Sequence, residues 1–379
     1  MIDIHETLKL KTELLCKGLF LDESLIDHYK EQGLYYGRKG GAGPLGGRYF
    51  LLEDTKTLVN IALWDDPKRT NLVLKEKKGS YFEVYDSTRN YSLCKIKLIK
   101  DPKFYDSSFK TSDGIPMKKI ALVHGIDCLG TTIYQKCKYW TCGEACKFCG
   151  IELSLEYDTT IVEKNHNQVN EVIAVAREEG RCEHITLTSG TEEGDDKGAK
   201  RYIELLKGIK ERYPKLPIHV QIEPFEGTLD YMDELKEAGT DTIGIHIEIL
   251  DNKLREIITP GKSKIPNQLF EDNWKRAVEI FGKNQVETYI LTGFGESASE
   301  LIADIEKLIL LGVIPYITPV RSIPKVEPPM PVMNYNSLLE IYNKTAHMLK
   351  NYGLNPLENK AGCVRCGGCS AITEAYKAV

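Results

Sequence analysis

The chain has 379 residues, 42% of them hydrophobic and 28% charged, with a formal net charge of −5. That length and apolar content support more than one compact unit with a full core. The mild acidity, with both signs interspersed and no basic block, excludes a nucleic acid as the expected partner and favours small molecules or another protein. No apolar run reaches membrane-spanning length, and "MIDIHETLKLKTELLCKG" carries acids and lysines where a signal peptide needs an unbroken apolar core. No membrane contact is expected, and the expected location is the cytoplasm.

In chain order, residues 1–117 read as an α+β accessory domain. It starts with a helical segment, continues through "YYGRKGGAGPLGGRYF", and ends in strand-like runs "TLVNIAL", "TNLVLKE", "YFEVYD" and "SLCKIKLI" that suggest a small, mostly antiparallel unit. The glycine run holds six glycines between Gly37 and Gly47. It reads either as a backbone nest for an anion or as a flexible linker. Residues 118–355 alternate β-branched runs with amphipathic segments. "TTIYQKCKYW", "HITLTSG", "IHVQIEP", "DTIGIHIEIL", "QVETYILTG" and "IPYITPV" read as strands, with helices such as "QVNEVIAVAREEG" between them. The expected fold is α/β, a partial (β/α)6 TIM-like barrel, with chemistry at the C-terminal ends of its strands. A helix near Leu338–Tyr352 then leads into a cysteine-rich tail, residues 356–379.

Six of the eleven cysteines sit in two clusters, "CGEACKFC" and "CVRCGGC". In a reducing compartment such clusters read as metal ligation. Cys142, Cys146 and Cys149 follow the first expected strand directly, which places them on a loop at the barrel mouth. Three thiolates on a 4Fe-4S cluster leave one iron free for a substrate or cosubstrate. A zinc knuckle completed by a distant histidine, or three packed cysteines, is the plainer alternative. Cys363, Cys366 and Cys369 suit a second, auxiliary 4Fe-4S cluster, or else a structural zinc. Cys137, Ser370, Arg321 or a substrate atom is the candidate fourth ligand. Glu223 and the pair Arg321 and Ser322 are polar groups at strand ends, where an exposed salt bridge is the plain reading. "TPGK", Thr259 to Lys262, reads as a mobile loop.

The x3-x2 spacing of the first triplet, with Phe148 before its last cysteine, resembles the radical S-adenosylmethionine (radical SAM) superfamily. Together with "VQIEPF", "GIHIE", "PGK" and "GCVRCGGCS", it is similar to the biotin-synthase-related branch, which includes paired archaeal and anaerobic lipoyl synthase proteins and radical proteins of nitrilase gene clusters. The resemblance implies S-adenosylmethionine as cosubstrate. Ser189, Gly190 and Thr191 would lie at its methionyl amine, with Glu223 at the mouth. Glu248, with His246 beside it, would lie at the ribose, and Gly293 and Glu296 at the adenine; Arg255 reads either as a partner for the cosubstrate carboxylate or as solvated helix surface. The implied activity is formation of a 5′-deoxyadenosyl radical followed by sulfur insertion at an unactivated C–H bond, octanoyl to lipoyl, with the tail folded over the mouth as sulfur donor. The implied partners are an octanoylated carrier protein or peptide, a second radical SAM protein, and ferredoxin or flavodoxin as reductant. Radical chemistry without sulfur insertion, or an iron–sulfur electron carrier, are the alternatives.

Overall fold

The computed structural model describes residues 2–21, 47–53, 55–64, 66–78, 80–321 and 330–379. Of the glycine run only Gly47 is among the described residues, and Ser322 lies outside them. Asp3 caps the opening helix, Ile4–Lys17, by accepting from the Glu6 N–H, and the helix stops at Gly18, whose φ of 65° suits glycine. Six strands follow: β1 (Leu19–Phe20), β2 (Gly47–Leu52), β3 (Leu58–Trp64), β4 (Leu72–Lys78), β5 (Tyr81–Asp86) and β6 (Tyr91–Leu98). They close a small barrel of order β1-β3-β2-β6-β5-β4. Pairing is antiparallel except at β1, which runs parallel to β3 and β4. Val59 and Ile61, and likewise Phe82 and Val84, fill the interior at every second residue. Two-residue β1 is too short to carry that period in sequence.

The second sheet contains β7 (Leu122–His124), β8 (Cys128–Thr132), β9 (His184–Thr188), β10 (Ile218–Ile222), β11 (Thr242–Ile245), β12 (Val286–Thr292) and β13 (Ile314–Pro319). Its order is β13-β12-β11-β10-β9-β8-β7, with β8 through β13 parallel and β7 folded back as an antiparallel edge. This is the expected six-unit partial barrel. Its crossover helices pack by their apolar faces. His166–Glu178, for instance, is closed by an Asn165/Gln168 capping box and buries Val169, Val172 and Ile173. Each of those side chains contributes about 1.5–3 kcal/mol.

Two expectations change. The first barrel strand lies at 128–132 rather than 131–140. Beyond it, the β-branched and aromatic run pairs with loops instead of a sheet: the Gln135 N–H donates to Val162 O and the Lys138 N–H to Thr191 O, each at 2.8 Å. The tail does not cover the mouth. It enters at the opposite end, where the strands begin. There Gly362 N donates to His184 Nδ1 (3.2 Å), Thr242 Oγ1 to Ala361 O (3.1 Å) and Val364 N to Glu287 Oε2 (3.2 Å). The small barrel holds it from the other side. Buried Lys11 donates to Gly367 O at 2.7 Å and Glu374 at 2.8 Å, and Asn60 N donates to Gly368 O at 2.7 Å. No described helix is long and apolar enough to cross a membrane.

A candidate active site between two cysteine triplets

Side chains inside a parallel barrel alternate, so β10 presents Gln221 and then Glu223 just past its end, and β12 presents Glu287, Tyr289 and Leu291. Most of these border one cavity of about 280 Å³. Cys146 and Cys149 line it from the loop that follows β8, together with Cys137 and Phe148, and Cys363, Cys366 and Cys369 line it from the tail. Cys142 is exposed at the rim. Burial pushes the thiols of Cys146 and Cys363 well above their ordinary range, Cys149 to about 11 and Cys366 to about 12. These thiols are neutral until a cation claims them.

The mouth loop is pinned to the segment expected to be mobile. Lys147 N donates to Ile258 O (2.9 Å) and Gly261 N to Glu144 O (3.2 Å). A Cβ on Gly261 would sit 2.1 Å from the Tyr139 ring, so only glycine permits this approach. The segment then delivers Lys262 into the cavity wall. Its ammonium donates to both oxygens of Glu248 at 2.8 Å and to His246 O at 3.1 Å, with Glu223 at 3.8 Å. Tyr139 in turn donates to Glu223 Oε2 at 3.0 Å. Burial alone would push Lys262 down, but the Glu248 and Glu223 carboxylates outweigh it and hold the ammonium charged. Glu248 sits at φ 58°, a left-handed conformation, fixed by its N–H to Tyr289 O (3.0 Å) and its carbonyl to Leu291 N (2.8 Å). Backbone held this way, against its preference, is characteristic of functional sites. Replacing Lys262 with Met is expected to strand the buried Glu248 charge and cost about 3–5 kcal/mol, read as a lower urea midpoint. The Lys262→Met/Glu248→Gln double variant should recover most of that loss. Equal losses in both would disprove the coupling.

Ser189, Gly190 and Thr191 line the cavity as expected. Gly190 is required there, because a Cβ would fall 1.9 Å from Lys136 O. Glu223, His246 and Glu248 also line it, although both oxygens of Glu248 are taken by Lys262. Three of the cosubstrate candidates, Arg255, Gly293 and Glu296, are not in the wall. Arg255 turns away to Asn252 (3.1 Å) and Asn267 (2.5 Å). Glu296 accepts from the N–H groups of Gly293 and Phe294, both at 2.7 Å, and so closes its own turn. As for the tail's fourth ligand, Cys137 lies at the mouth with Cys149 and Tyr139, and Ser370 Oγ is buried and accepts from Ile372 N (3.3 Å). Arg321 is close enough to Cys369 for the thiolate to stabilise its charge, but its guanidinium donates to Asn60 Oδ1 and Asn60 O.

Sequence reasoning passed over Lys262, Gln221, Tyr289 and Tyr49 as wall residues. Only the period-two inward register marks Gln221 and Tyr289.

A tetrahedral zinc with Zn–S near 2.3 Å draws its thiolates to about 3.8 Å from one another. Among the described residues, the one set of three His, Cys, Asp or Glu ligand atoms mutually within 4.8 Å is His219, His246 and Glu287, so neither cysteine triplet is drawn in that tightly. The His–His–Glu set has the wrong donors for a metal. Thr242 gives its proton to Ala361 O, so His219 Nδ1 carries hydrogen and Nε2 is a lone pair. His246 Nδ1 accepts from Tyr289 N, so its Nε2 carries hydrogen. One N–H facing one lone pair and one carboxylate oxygen matches the bonding of a water molecule rather than of a metal ion.

The curled parallel sheet is a partial barrel whose first strand leads into a loop carrying three cysteines at its mouth. Residues 141–308 match the family model of the Radical SAM superfamily. It is 25% identical to the mitochondrial lipoyl synthase of Fusarium vanettenii over 171 residues, 44% of this chain and 40% of that protein. It is 22% identical to the lipoyl synthase of Ectopseudomonas mendocina over 208 residues, 53% of this chain and 57% of that protein. The chain thus spans about half the length of these curated relatives. Among solved structures, methylornithine synthase aligns with a TM-score of 0.49 at 14% identity, over 71% of this chain and 78% of that one.

Proposed function

We propose that the protein is a radical SAM enzyme of the biotin-synthase-related branch. It would cleave S-adenosylmethionine and insert sulfur at an unactivated C–H bond, in the manner of a lipoyl synthase acting on an octanoyl group. The observation that carries this reading is that cysteines of both triplets border one cavity, Cys146 and Cys149 where the strands end and Cys363, Cys366 and Cys369 where they begin. In this reading Cys142, Cys146 and Cys149 hold a 4Fe-4S cluster and Cys363, Cys366 and Cys369 an auxiliary one. Bound there, the first would supply an electron to the sulfonium and the second would supply sulfur. The chain's own residues position and enclose. Ser189 to Thr191 offer backbone groups to the methionyl end, and the Lys262 ammonium offers a cation for its carboxylate. Tyr49, Tyr289 and Tyr316 wall the space between the two centres, where a carbon chain would be held out of water. An octanoylated carrier protein, a second radical SAM protein and a ferredoxin or flavodoxin belong to the same reading.

The test is a mass spectrum of products from reduced protein, S-adenosylmethionine and an octanoylated carrier peptide. Both 5′-deoxyadenosine and a sulfur-bearing peptide are expected. Deoxyadenosine with a peptide or small metabolite changed without sulfur would replace this reading with radical chemistry of the nitrilase-cluster type. The absence of deoxyadenosine would leave an iron–sulfur carrier.

A further inference from the structure

The tail triplet lies against phenols. Tyr289 Oη is 2.6 Å from Cys363 Sγ, and Tyr49 Oη is 3.9 Å from Cys369 Sγ. Tyr316 Oη accepts the Cys369 N–H at 3.1 Å. The contact at Cys363 is directed. The side-chain amide nitrogen of Gln221 donates to Tyr289 Oη at 3.0 Å and lies 3.7 Å from the Cys363 sulfur. An amide nitrogen can only donate, so the Tyr289 oxygen is the acceptor in that bond and its own proton is left to point at sulfur.

The ring is fixed as firmly as the hydroxyl. It stacks on His246 with centroids 4.0 Å apart and planes within 8°, and leans on Tyr316 at 5.5 Å. The Tyr289 N–H donates to Nδ1 of the same histidine, so backbone and side chain share one support. Glu287, two residues earlier on β12, is the negative group that acts most strongly on Cys363. A directed O–H is the local counterweight to it.

We propose that Tyr289 is a positioning residue for the tail metal centre: by donating to the Cys363 sulfur, with Gln221 fixing the direction, it sets that centre's electron affinity. The proposal rests on the reading of Cys363, Cys366 and Cys369 as cluster ligands. Hydrogen bonds to the sulfurs of such a centre favour its more negative, reduced form and raise its potential. The mouth triplet has donors of its own, the Ile151 N–H and the Trp140 indole at Cys149, and neither is touched by a change at Tyr289 or Gln221, so the effect is expected at one end of the cavity.

The experiment is a redox titration of the full chain carrying both centres, followed by electron paramagnetic resonance, for wild type, Tyr289→Phe and Gln221→Leu. Tyr289→Phe keeps the ring and both stacking contacts. It is expected to move the tail centre to a more negative potential, leave the mouth centre in place, and retain wild-type iron and sulfide. Gln221→Leu frees the hydroxyl to turn and should give a smaller shift of the same sign. An unmoved tail centre at full iron content overturns the proposal, as does an equal shift of both centres. Wild-type protein with iron and sulfide for a single cluster sinks the tail-cluster reading, and this proposal with it. Two clusters with no shift sink this proposal alone.

Discussion

Alanine at any one of Cys142, Cys146 or Cys149 is expected to remove about four irons per chain and to abolish 5′-deoxyadenosine formation, because three thiolates are the minimum that holds such a centre with one open site. The thiols are not equivalent before loading. Cys146 and Cys149 are in the cavity wall, and Cys142 is exposed at the rim. All three substitutions should nonetheless fail alike once iron is required. The fold should survive, since the loop is pinned through backbone groups of Glu144, Lys147, Ile258 and Gly261 rather than through sulfur. Iron content, near-ultraviolet circular dichroism and product chromatography are the measurements. A folded variant that still cleaves S-adenosylmethionine would remove the triplet from the mechanism.

The second large effect is expected from the tail. Changing Cys363, Cys366 and Cys369 together to alanine should leave cleavage of S-adenosylmethionine largely intact and eliminate the sulfur-bearing product. The backbone contacts of Gly362, Val364, Gly367 and Gly368 do not use sulfur, and Val364, Ala371 and Ile372 keep their places in the core. If the tail instead held a structural metal, folding and both reactions would be lost together. Heavy-sulfur labelling of the tail centre makes the test independent of stability, because the label must appear in product within one turnover. Unlabelled sulfur in the product would refute a tail-held donor.

Much of the barrel is legible in the sequence, because β-branched runs followed by amphipathic segments carry their own periods. β7 and β1 are not, being three and two residues long. The mouth triplet is legible from spacing alone. Its partner Lys262 is not, because a lysine in a loop declares nothing until folding brings it to Glu248, fourteen residues earlier in the chain. Arg255 and Glu296 mislead for the opposite reason. Each is a charged residue near a strand end. Glu296 has both carboxylate oxygens taken by the N–H groups of Gly293 and Phe294 in its own turn, whereas only Nη2 of Arg255 is held, by Asn252 and Asn267, and its buried Nε and Nη1 have no partner among the described residues. The end at which the tail enters has no local signal at all. It is decided by contacts such as Lys11 to Glu374, 363 residues apart.

That contact also bears on the order of assembly. The helix carrying Lys11 leaves the ribosome long before its partner exists, since domains fold as the chain emerges, N-terminal parts first. Until Gly367 and Glu374 arrive, the wall of the cavity at the strand beginnings is missing and the small barrel lacks its seal against it. That wall is therefore added late, by the same segment that carries three of the cavity's own thiols, so the inner end of the cavity takes shape only when the tail docks.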